Sequence, residues 1–233
     1  MSCDWNRIRK NREKIMALEQ AIDKCQWNDV LNMVEQQPLL LFWDEVGGEM
    51  GENLFLRVWE EDRWVGRDCV RILFRHPELA RCVGVNNYGR STFNVGVLEY
   101  SVSGTLLGFL VGAGEVDLVK EGLEIGLDPD GWKGANWYRD ETGLYHFRYS
   151  ATCTIQKEKW LNPRGIMGVD RLPKETTPLL IAIFKENVDL VKLLIRHGAS
   201  FSFQWALCQR YVEDCSSWTI RNLLKEAYGG GNK

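Results

Sequence analysis

Two strings of this chain match position for position. Glu115-Val116-Asp117-Leu118-Val119-Lys120 and Asn187-Val188-Asp189-Leu190-Val191-Lys192 differ only in their first residue. Internal self-similarity marks a repeat architecture, in which each unit buries its apolar face only against a neighbour. That constrains the fold more tightly than any composition figure.

The second string sits in a longer pattern. Thr177-Pro178-Leu179-Leu180-Ile181-Ala182 precedes it, and Leu193-Leu194-Ile195-Arg196-His197-Gly198-Ala199 follows. Thr177 reads as a helix N-cap, its hydroxyl free to accept from an end N–H. Pro178 falls at the first helical position, where its missing N–H costs nothing. Leu179, Ala182 and Ile183 share one face, and Glu186-Asn187 is a turn. Val188, Val191, Leu194 and Ile195 form the stripe of a second helix, which Gly198 ends as a left-handed residue. This segment resembles the ankyrin repeat, whose pattern is T-P-L-H-x-A, a helix–turn–helix, then V-x-x-L-L-x-x-G-A. Leu180 stands where the family has His, so the bond that His makes within the turn is absent here. The resemblance implies a curved stack whose concave face and fingers bind a protein, acting by positioning and without catalysis.

The same template finds an earlier copy at Thr105-Leu106-Leu107-Gly108-Phe109-Leu110, followed by Gly114, Val116, Val119, Leu123, Gly126 and Asp128. Three weaker copies are expected. Leu18, Ala21, Ile22, Trp27, Val30, Met33 and Val34 fit an N-terminal cap. Leu54, Phe55, Val58, Val70, Leu73 and Phe74 fit if their turn is about three residues longer than the family's roughly 33-residue repeat has. Trp205, Ala206 and Leu207, with Ile220, Leu223 and Leu224, fit a C-terminal pair. The template's Thr position falls at Met16, Asn53, Thr105 and Thr177, in steps of 37, 52 and 72. The last step leaves a long insertion after Asp128. The expected fold is therefore mainly α: an ankyrin-like helix–turn–helix solenoid of about five repeats with an inserted β-hairpin or meander. The expected domains are a basic arm over 1–13, a repeat domain over 14–228 with its insertion at 129–176, and a flexible tail over 229–233.

The insertion has its own chemistry. Trp137-Tyr138-Arg139 and Tyr145-His146-Phe147-Arg148-Tyr149 flank Asp140-Glu141-Thr142-Gly143, which predicts a β-hairpin, with Ala151–Ile155 as a third strand. Trp, Tyr and Arg most often dominate interface energies. The candidate binding residues are Trp132, Trp137, Tyr138, Arg139, Tyr145, Phe147 and Tyr149. Alternatives are aromatics folded back on the repeats, or a small-molecule or catalytic pocket between the insertion and the concave groove.

Charge separates partner classes. A net charge of -3 argues against a phosphate-tracking protein. Asp44–Asp62 holds seven acids against Arg57, an acidic run that would steer a basic partner, or else a solvated loop. Residues 1–14 are basic without an apolar core, so no secretory signal is expected, and no apolar stretch approaches a membrane span. Seven Cys without a CxxC pair point to reduced thiols and a cytoplasmic compartment. The expected partner is a protein, with neither nucleic acid nor membrane, and the chain is expected to be monomeric.

Catalytic candidates are few. His197 and His76 fall at helix ends and read as structural. His146 has Asp140, Glu141 and Cys153 nearby in sequence, the minimum for an acid–base or Cys–His site, yet no spacing fixes their geometry. No Cys/His spacing matches structural zinc. Gly112-x-Gly114 lacks the preceding strand of a dinucleotide loop, and Gly47–Gly51 lacks the Lys of a phosphate loop. The expectation is an interaction module without cofactor or metal; the alternative is an enzyme built on the same scaffold.

Overall fold

Leu18, Ala21 and Ile22 share a face at helical spacing, as do Val30 and Val34, and all five are buried. They fold as α1 (Arg12–Asp23) and α2 (Trp27–Gln36). The computed structural model describes the backbone of residues 12–42, 54–81, 83–85, 93–95, 98–130, 137–139, 145–147, 153–160, 175–200 and 216–228. Side chains are described for 13–42, 54–81, 83, 105–130, 177–183, 185–200 and 216–228. The chain divides into two units, Met1–Tyr88 and Gly89–Lys233.

In the first unit a 3-10 turn, Pro38–Phe42, follows α2 and buries Leu40, Leu41 and Phe42. Then come α3 (Leu54–Glu61), α4 (Arg63–Phe74), α5 (Pro77–Ala80) and the extended pair β1 (Gly84–Val85). The expected long turn between α3 and α4 is a correction. Asp62 alone joins them, and its carboxylate accepts from the N–H groups of Trp64 (2.9 Å) and Val65 (3.2 Å). The surplus residues extend α4 backwards instead of lengthening the turn. The two helices meet closely: a Cβ on Gly66 would lie 2.9 Å from Trp59 Cε3 and 3.0 Å from its Cα. Gly66 weakens α4 as a helix, by about 0.5–1 kcal/mol against Ala, and is required by this approach.

The second unit begins with β2 (Phe93–Val95) and β3 (Leu98–Thr105), which runs straight into α6 (Leu106–Ala113). Next come α7 (Val116–Glu124), β4 (Trp137–Arg139), β5 (Tyr145–Phe147), β6 (Cys153–Trp160) and β7 (Glu175–Thr176). The unit closes with α8 (Pro178–Phe184), α9 (Val188–Arg196) and α10 (Trp218–Tyr228). α6 packs on α7, α8 and β3, so that every residue from Leu106 to Gly112 is buried. α9 packs on α7, α8 and α10, the last contributing buried Ile220 and Leu224.

The pairs α6–α7 and α8–α9 repeat one hydrogen-bond scheme. Thr105 Oγ1 accepts from Gly108 N (3.1 Å), and Thr177 Oγ1 from Leu180 N (3.3 Å). Gly114 (φ 78°) and Glu186 (φ 53°) take the left-handed conformation two residues before the second helix, as Cys25 (φ 53°) does between α1 and α2. The next N–H then bonds five residues back: Glu115 to Leu110 O, Asn187 to Ala182 O, and Gln26 to Ala21 O, at 3.0, 3.0 and 2.8 Å. Gly126 and Gly198 close α7 and α9 in the same left-handed way, with Leu127 N on Gly122 O and Ala199 N on Leu194 O. Val119 and Val191 are fully buried at equivalent positions.

The expected inserted β-hairpin or meander is corrected. The described side chains lie in helices and their caps and turns, so the chain is mainly helical without such an insertion among them. β6 does not join β4 and β5 in one sheet. It pairs antiparallel with β3, Leu98 opposite Trp160 and Ser103 opposite Thr154, and β2 and β7 flank these two. β4 and β5 pair only with each other, and the turn residues 140–144 that carried the hairpin expectation lie outside the described residues. The physical reason is the length of β3: eight residues running directly into the Thr105 cap offer β6 a longer ladder than three-residue β5 does. Also outside are the acidic residues 43–53, the first helix expected near Trp205, and both termini. No described helix is long and apolar enough to cross a membrane.

The left-handed turns supply the first test. A Cβ on Gly114 would meet nothing within 4 Å, so Gly114→Ala should cost roughly 1 kcal/mol through conformation alone. Cys25→Gly, at an exposed position with the same backbone, should stabilise by up to about 1 kcal/mol. Urea denaturation reads both. Val119→Ala and Val191→Ala should each cost roughly 1–3 kcal/mol through lost burial and a residual cavity.

Candidate functional site

The described surface carries one feature that spacing alone makes legible. Arg63, Arg67, Arg71 and Arg75 recur every four residues along α4 and its C-cap, with Asp68 the only acid from 63 to 75. Spacing of four keeps them on one slowly turning helical stripe. Trp64, beside the first of them, is 76% exposed. The Arg67 guanidinium lies over its ring at 5.5 Å, and that of Arg63 over Trp59 at 5.7 Å. Such stacking holds a flat side chain in place with its far face to solvent.

Arg71 and Arg75 of this stripe border an open groove of about 480 Å³ between α2 and α4. It is lined by Leu31, Asn32, Glu35, Asp68, Arg71, buried Ile72 and Arg75. Arg75 Nη1 is 2.5 Å from Glu35 Oε1, and Arg71 Nη1 is 3.5 Å from Asp68 Oδ1. Both pairs are exposed, where such contacts are worth about 0–1 kcal/mol and exchange readily. The α3–α4 register fixed at Gly66 and the Asp62 cap place the stripe.

Several described polar groups of the second unit bond to backbone groups of neighbouring segments. Lys185 Nζ donates to Gly112 O, tying the ends of α6 and α8. Tyr228 Oη donates to Ala199 O, and Ser200 N to Asp130 Oδ1 at 2.5 Å. Glu115 is 3% exposed at the α6–α7 turn, where the other copy has Asn187 bonded to Leu190 N.

The binding residues expected from sequence are not brought together by anything described. Trp132 and Tyr149 lie outside the described residues, as does Tyr145's neighbour Leu144. For Trp137, Tyr138, Arg139, Tyr145 and Phe147 the backbone alone is described, with Trp137 opposite Phe147, Tyr138 opposite His146 and Arg139 opposite Tyr145. Of the acidic run, Arg57 pairs with Asp23, and Asp62 is committed to capping α4. His76 precedes α5 with Nδ1 4.0 Å from Glu78 Oε1, and His197 caps α9 through its backbone N–H. Among the described residues no group of three or more His, Cys, Asp or Glu could hold a metal. Sequence reasoning passed over Trp64 and the four-residue arginine spacing; that spacing was the available signal.

Comparison with protein-family models, curated proteins and solved structures finds no match.

Among the described residues two groups have strongly moved acidities. Burial, and then the charge of Asp68, push the Cys69 thiol from near 9 up to about 12. Burial, and then Asp130, push Tyr228 up from 10 to about 12. Both hold their protons in the folded state while the unfolded chain releases them above about pH 9 to 10. Their contribution is fully present below pH 9 and is lost as pH rises toward 12. Urea midpoints should therefore fall between pH 9 and 11, and fall less steeply in Cys69→Ala. An unchanged slope in that variant would remove Cys69 from the account.

Proposed function

We propose that this protein is a protein-interaction module of ankyrin-like helix pairs that acts by positioning a partner. The observation supporting this reading is the pair of equivalent units, α6–α7 and α8–α9. Each is capped by Thr, turned through a left-handed residue and closed by a left-handed Gly. A chain that repeats a cap-turn-cap device makes a rigid frame, suited to holding a surface in shape. Binding is carried by Trp137 and Tyr145 with Trp132, Tyr138, Arg139, Phe147 and Tyr149, on the interface chemistry of Trp, Tyr and Arg. The reaction-bearing alternative would require His146 to meet an orienting carboxylate in a water-excluding site.

The test is an affinity capture with the intact chain beside Trp137→Ala, Tyr145→Ala and His146→Ala. The two aromatic variants should lose captured protein while keeping their helicity by circular dichroism. His146→Ala should retain it. Loss of helicity in the aromatic variants would make those side chains core. Loss of function in a folded His146→Ala would favour an enzyme.

A further inference from the structure

We draw no further inference here: the strongest candidate, the C-terminal helix α10, tied at its start to Glu186 through Ser216 and at its end to Ala199 O through Tyr228, carries nothing, because these bonds belong to the fold already described and nothing in the structure shows what would release the helix or take its place.

Discussion

Short helices leave most of their end groups without partners, and the described helices of this chain run from four to twelve residues. Each α-helix frees four N–H groups at one end and four C=O groups at the other, and alone none of these would be stable in water. The answer recurs. A residue in the left-handed region turns the chain, and the next N–H reaches the carbonyl five residues back. Thr105 and Thr177 supply the missing acceptors at the opposite ends while remaining almost wholly buried. Once those groups are satisfied, the apolar stripe of each helix meets its neighbour, and burial of Val119, Leu123, Val191 and Leu194 stabilises the assembly.

This device explains both what was legible in the sequence and what was not. The α6–α7 and α8–α9 pairs could be read because caps, left-handed glycines and apolar spacing all lie within a few residues of one another. Asp62 was legible by the same rule, as an acceptor just ahead of an apolar-periodic run, yet matching a fixed repeat length hid it and put the extra residues in a turn. The β3–β6 ladder had no such signal. Its strands lie about fifty residues apart, with α6 and α7 between them, and nothing local in Cys153–Trp160 says which strand it will meet. The seven aromatic and basic residues singled out for binding rested on composition, which names residue types and not their arrangement.

Non-glycine residues in the left-handed turns show where the device carries a cost. Gly114 adopts the conformation freely, whereas Cys25 and Glu186 do not. At Glu186 a compensation is visible: its carboxylate accepts from Ser216 N at 3.0 Å and from the Ser216 hydroxyl, just before α10. The side chain thereby ties the start of α10 to the turn of the preceding pair. Cys25 is exposed, and no comparable tie from its side chain is described.

Polar side chains divide by the same logic of cost. Lys185, Tyr228 and Asp130 are spent on backbone groups of neighbouring segments, at positions half-removed from water. An unmade bond there leaves a desolvated carbonyl or amide, which costs more than the bond itself contributes. Tyr228 illustrates the point: a phenolate cannot donate to Ala199 O, so keeping that bond and keeping the proton are one requirement. The arginines of α4 are the opposite case. The carboxylates of Asp68 and Glu35 that pair with Arg71 and Arg75 are themselves exposed, so these two ion pairs contribute little to the fold. Beneath them Val65, Cys69, Val70 and Leu73 are buried, and Gly66 fixes the helix against Trp59. Close packing one layer below keeps the face that carries these arginines ordered.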